Sequence, residues 1–124
     1  MPVLHHVSVG TRDLARARAF YEPVLAVLGV RVLNADDVSV DFGVDAIVFS
    51  LETPTDGRPA TPGNGVHIAF EARDRAAVDA FHAEALRRGG TDAGPPGPRP
   101  QYGPRYYGAF VHDPDGNKIE AMLE

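Results

Sequence analysis

The stretch HVSVGTRDLARARAF, His6 to Phe20, returns 61 positions later as HIAFEARDRAAVDAF, His67 to Phe81. Six of the fifteen aligned positions are identical: His6/His67, Arg12/Arg73, Asp13/Asp74, Ala15/Ala76, Ala19/Ala80 and Phe20/Phe81. The register continues without a gap to Leu25/Leu86 and Gly29/Gly90. A fixed-offset repeat in a chain of 124 residues restricts the fold more than any local propensity, because both halves must build the same unit. At this size neither unit buries enough apolar surface alone, so the two form one domain.

The local pattern says what the unit is. From Val3 to Val9, apolar and polar residues alternate with the period of a strand. Asp13 then reads as the N-cap of a helix carrying Leu14, Ala17, Phe20, Tyr21, Val24, Leu25 and Leu28 on one stripe and ending before Gly29. Pro23 interrupts that stripe and predicts a kink or a shortened regular part. VRVL, DDVSVDFG and AIVFSLE read as three further strands. The second half repeats the order: a strand at His67–Phe70, a helix capped by Asp74 that stops at Gly89-Gly90, and final strands at Ala109–His112 and Lys118–Leu123. The expected class is α+β, two βαβββ modules at 1–52 and 66–124 joined by a Gly- and Pro-rich connector at 53–65.

Bulk composition removes several functions. Seventeen acidic against twelve basic residues give a net charge of -5, and no Lys/Arg run forms the stripe that a nucleic-acid backbone needs. Without cysteine there is neither a disulfide framework nor thiolate chemistry. No apolar run approaches the roughly 20 residues of a membrane span, and the N-terminus lacks a basic start, so a soluble cytoplasmic protein without membrane partner is expected.

One helix covers one face of a four-stranded sheet and leaves the other bare. Two such units can pair so that their bare faces curve around a shared cavity, into which His6 and His67 would look from opposite halves. On the last strand Glu120 and Met122 have the parity opposite to Ile119, Ala121 and Leu123, which turns Glu120 to the same cavity. A carboxylate in a partly dry space needs a cation or donors to compensate it. Two imidazoles and one carboxylate are the ligand set of divalent sites with open positions.

In the order and spacing of HHVSVGTRDLARARAFYEPVLAVLG, NGVHIAF and AFVHDPDGNKIEAM the chain resembles the vicinal oxygen chelate superfamily, the glyoxalase/bleomycin resistance/dioxygenase group. The resemblance implies an open eight-stranded mixed barrel around a divalent ion (zinc, nickel, iron or manganese) with His6, His67 and Glu120 as ligands. It also implies a small-molecule substrate chelated through neighbouring oxygens, isomerase/lyase or ring-cleavage chemistry, and homodimerisation. The fourth family position departs from the pattern: aligning SVDFGVDAIVF with FVHDPDGNKIE sets Phe49 opposite Glu120, and a one-residue slip would offer Glu52 instead. Glu120 and Glu52 are therefore the candidate catalytic carboxylates. The segment Gly94–Phe110 reads as an irregular loop over the cavity mouth, with Arg99, Tyr102, Arg105, Tyr106 and Tyr107 as candidate substrate contacts. His5, His82 and His112 read as satisfied polar residues, and DPDGN as turn chemistry. The rival reading is a metal-free ligand-sequestering protein of the bleomycin-resistance type, whose acidic balance suits a cationic drug. A domain with neither ligand nor activity is the third.

Overall fold

The structure, a computed structural model, describes residues 3–124. Its first module contains β1 (Val7–Gly10), α1 (Leu14–Ala26), β2 (Arg31–Ala35), β3 (Ser39–Gly43) and β4 (Ile47–Glu52). The second contains β5 (His67–Glu71), α2 (Arg75–Arg87), β6 (Thr91–Pro98), β7 (Tyr107–His112) and β8 (Lys118–Leu123). Each module is one four-stranded sheet, ordered β1-β4-β3-β2 and β5-β8-β7-β6. In each, the first and last strands pair in parallel, the helix being part of the long crossover that a parallel pair requires. No described helix is long and apolar enough to cross a membrane.

The helices form where the caps allow. Asp13 accepts from the backbone N–H of Arg16, and Asp74 from that of Ala77, satisfying orphan donors of the first turns. Past the helix ends, Gly29 at φ +79° and Gly89 at φ +104° take the left-handed conformation that side chains disfavour. Pro23 lies inside α1, which continues to Ala26, since a proline near the end of a helix costs only one intrahelical bond.

Ala17, Phe20, Tyr21, Val24 and Leu25 of α1 are buried, as are Ala77, Val78, Phe81 and Ala85 of α2. They join Val40, Phe42, Phe49 and Leu51 of the first sheet and Phe70, Val111, Ile119 and Ala121 of the second in one cluster. Each fully buried large side chain in it contributes roughly 1.5–3 kcal/mol of transfer free energy. α1 packs on α2, and the rings of Phe49 and Phe70 meet edge to face at 5.4 Å. The helix-covered faces thus share the core, and the opposite faces of both sheets point away from it.

A polar lock fixes this arrangement. Tyr21 of α1 donates its hydroxyl to the buried Asp113 of the β7–β8 turn at 2.5 Å. Asp113 also accepts from the backbone N–H groups of Asp115 and Asn117, both at 2.9 Å, and from the Asn117 amide at 3.0 Å. Asp115 in turn accepts from the Thr11 hydroxyl at 2.6 Å, the Arg12 backbone N–H at 3.0 Å and the Arg16 guanidinium at 3.0 Å. Burial, with the Asp113 charge added, pushes the Tyr21 phenol well above its usual range, so it remains a donor. DPDGN is the turn the sequence indicates, and it is also the contact through which module two grips module one.

Two expectations need correction. The first strand begins at Val7 rather than Val3, because its ladder with β4 starts at the Val7/Phe49 pair; Val3 to His6 run ahead of it unpaired. Residues 94–98 form part of β6 instead of an irregular loop. β6 is an edge strand with two register shifts, the one setting in which a Pro-Pro-Gly-Pro run can sit in a sheet without removing ladder bonds it needs. Replacing Asp113 by Ala should destabilise the fold by about 2–3 kcal/mol, since it strands a buried phenol and three N–H donors. A lowered urea midpoint at unchanged slope checks this.

Candidate functional site

Glu120 stands on β8 with the parity opposite to Ile119 and Ala121, which face the core. Its side chain therefore lies on the open face of the second sheet, yet it is only 1% exposed. Tyr106, just ahead of β7, covers it and donates its hydroxyl to Glu120 Oε2 at 2.6 Å. His67, at the start of β5, brings Nε2 to 3.2 Å from Glu120 Oε1. Gly108 makes the room: a Cβ there would meet Glu120 Oε2 at 3.0 Å and the Tyr106 ring at 3.3 Å. Desolvation, followed by the Glu120 hydrogen bond and charge, raises the Tyr106 phenol well above its usual range. Tyr106 is thus a standing donor, and Oε1 is the carboxylate oxygen turned to His67.

Phe110 belongs to the same face. It is 8% exposed but stands outside the core cluster, covered instead by Arg99 and Lys118, whose charged heads lie 5.6 Å and 4.9 Å from its ring centroid, with the His67 ring at 6.1 Å.

The sequence candidates distribute as follows. His67 and Glu120 come together; His6 does not join them. It is exposed, one residue ahead of β1, with Nδ1 2.8 Å from His5 Nδ1. Among the described residues no three His, Cys, Asp or Glu side chains gather as a metal-ligand group. Among the described residues the modules bury their apolar faces together in one core, which turns the bare faces apart, and the cavity beside His67 is lined by the connector and the second module alone. Arg99 and Tyr106 lie on the site face. Tyr107 points to the helix side, donating to Asp79 at 2.6 Å with Arg75 stacked 4.6 Å above its ring. Tyr102 is exposed and packs on Tyr106 at 5.2 Å, and Arg105 is exposed.

The fourth position is also corrected. Val7 pairs with Phe49 and Ser8 with Ser50, whereas Ile68 pairs with Ile119 and Ala69 with Glu120. Since Ser8 repeats as Ala69, the counterpart of Glu120 is Ser50, and Phe49 is the core counterpart of Ile119. Ser50 donates to Asp41 at 2.7 Å. Glu52 shares the face of Ser50 two residues further along β4, at the strand end beside Gly10 and Ser39. Sequence reading missed Ser50, Lys118 and His112; parity with Glu120 is the signal that marks Lys118.

Comparison with known proteins agrees with this architecture. Residues 3–121 match the model of the Glyoxalase/Bleomycin resistance protein/Dioxygenase superfamily. The chain is 38% identical to a glyoxalase/bleomycin resistance protein from Albidiferax ferrireducens T118, whose crystal structure superposes with a TM-score of 0.91 over 99% of both chains. A glyoxalase-related enzyme from Fulvimarina pelagi, 19% identical, matches in fold with a TM-score of 0.76 over 100% of this chain and 89% of that one. A glyoxalase/bleomycin resistance protein/dioxygenase family enzyme from Burkholderia phytofirmans PsJN, 18% identical, does so with a TM-score of 0.72 over 96% of both. No curated protein matches the chain. Paired βαβββ modules with an ionisable cluster on an open sheet face, together with the match over nearly all its length, place this chain in the glyoxalase/bleomycin resistance/dioxygenase superfamily.

If the Glu120 charge helps hold the Tyr106 phenol up, Glu120→Gln should lower its titration midpoint while burial keeps it above that of a free tyrosine. Carbon-13 tyrosine NMR across alkaline pH reads this directly, and an unchanged midpoint would contradict the assignment.

Proposed function

We propose that this chain is a small divalent-metal enzyme in which His67 and Glu120 hold the ion and His6 of a second copy completes the set. The supporting observation is the 3.2 Å approach of His67 Nε2 to Glu120 Oε1 on an otherwise open face. Metal bonds of about 2.0–2.2 Å at tetrahedral to right angles put adjacent ligand atoms roughly 2.9–3.5 Å apart, so the pair fits one ion. Within one chain that set stops at two. His6 is the repeat partner of His67 and lies one residue ahead of β1, and continuing the alternation of Ser8, which pairs with Ser50, would put it on the open side of the first sheet. A homodimer that lays the first sheet of one copy against the second sheet of the other would close two eight-stranded barrels and bring His6 to His67 and Glu120.

Bound there, the ion would supply Lewis-acid polarisation of two neighbouring oxygens of a small metabolite. The chain's own groups have definite parts. Glu120 is buried with Oε2 held by Tyr106, which leaves Oε1 as the oxygen facing an ion beside His67. Tyr106 fixes the carboxylate rotamer through a hydrogen bond that burial strengthens. Ser50 sets a hydroxyl, already engaged by Asp41, where a second carboxylate would make a fourth ligand. On an ion that takes five or six ligands, a three-ligand set would leave two or three positions for substrate oxygens, which favours direct chelation of substrate over a metal-bound base. Glu52 lies two strand residues, about 6.6 Å, from Ser50, and so would stand at the rim of the site rather than on the ion. The incomplete single-chain set favours a second reading, metal-free sequestration of a ligand in the dimer crevice.

Metal analysis of protein purified without chelators, with the mass in solution, separates the two. The proposal expects a dimer carrying about one ion per chain, lost on His67→Ala, Glu120→Ala or His6→Ala. A metal-free parent protein that takes up no added zinc, nickel, iron or manganese would overturn it in favour of sequestration.

A further inference from the structure

The geometry points to an oxyanion-binding pocket beside the His67–Glu120 pair, built on Lys118 and His112, for the anionic end of the substrate. His67 pairs with Lys118 across β5 and β8, and Lys118 pairs with His112 across β8 and β7. Three adjacent strands therefore carry basic side chains in one row across the sheet. Lys118 has the parity of Glu120, and His112 that of Phe110, so the row lies on the open face. All three line a cavity of about 430 Å³ whose far wall is the connector Pro62 to Val66. Val66 N–H closes that wall as a turn onto the Gly63 carbonyl at 3.0 Å, and Gly116 packs on Pro62.

The charge at the centre of this row is uncompensated. Lys118, the only lysine of the chain, is half-buried over Phe110 and is within ion-pair distance of no carboxylate among the described residues. The same holds for Arg99 on that ring, which donates instead to the carbonyls of Pro95 and Pro98. The nearby acids are engaged elsewhere: Glu120 with Tyr106 and His67, Asp113 with Tyr21 and Asn117, Asp115 with Thr11, Arg12 and Arg16. In a chain of net charge -5, a half-buried cation left without a counter-ion is not a by-product of composition. Imidazole carries an N–H donor in either charge state, so His112 can hold an oxyanion alongside Lys118 whatever its protonation.

The pocket is compact and suits a carboxylate or a phosphate ester. The substrate assignment rests on the proposed function: an anionic metabolite would anchor its charged end at Lys118 and present neighbouring oxygens to the His67–Glu120 pair. Anion binding itself needs no metal, and the two claims can fail separately.

A single lysine gives a single side-chain signal, so protein labelled with carbon-13 lysine reports on Lys118 alone. Titration with inorganic phosphate and, separately, malonate should move that signal saturably with at least one of them, and the responding anion names the source. Calorimetry should show the affinity falling at least about tenfold in Lys118→Gln and in His112→Gln. Arg18→Gln, on the exposed side of α1 in the first module, should leave it unchanged. Metal content of the Lys118→Gln variant should equal that of the parent. No saturable response to either anion, or equal affinity in both pocket variants and the parent, overturns the pocket, whereas loss of metal binding in the parent overturns only the proposed function.

Discussion

The carboxylate of Asp113, buried in the β7–β8 turn and gripped by the phenol of Tyr21, sets how the two modules meet. Each sheet has one apolar and one polar face, and the molecule could pair either kind. Pairing the helix-covered faces removes the larger apolar area from water, and the Asp113–Asp115 turn ties the β1–α1 junction of module one into that arrangement. Arg73 adds a reciprocal tie, reaching the Val27 carbonyl at 3.3 Å, while its repeat partner Arg12 reaches the Ala60 carbonyl at 2.8 Å. Everything on the open faces follows from this choice, including the separation of His6 from His67.

On the second open face a buried carboxylate is kept solvated by protein groups. Tyr106 and His67 supply the donors, and Gly108 supplies the space. On the first open face the matching position holds Ser50 with Asp41. The two repeats have thus diverged on their open faces: one carries a carboxylate and a row of basic groups, the other a hydroxyl held by an aspartate. In the proposed dimer these two unlike faces would meet across a two-fold axis, each copy offering what the other lacks.

Much of this was legible in the sequence. The offset of His6/His67 and Asp13/Asp74 carried both modules and both caps, and alternation along KIEAML placed Glu120 on the face of His67. The hairpin register was not legible, because the shift between Phe42 and Gly43 moves the β3–β4 alignment by a step that composition does not mark. That step replaced Phe49 by Ser50. β6 was hidden by its own Pro and Gly, which read as loop unless the strand is known to lie at a sheet edge. The relative placement of the halves was hidden too, since parity says which residues share a face but not which faces meet. His112 looked like an ordinary strand histidine until pairing set it beside Lys118.

The account stands on Glu120 and His67 forming one half of a metal centre. The most direct test is a crystal structure of the protein grown with zinc or manganese, with diffraction collected at the absorption edge of that metal. The account predicts an anomalous peak about 2.0–2.2 Å from both His67 Nε2 and Glu120 Oε1, with His6 of a second copy as the next ligand. A map with no peak between those two atoms, and a hydrogen bond still joining them, would contradict it.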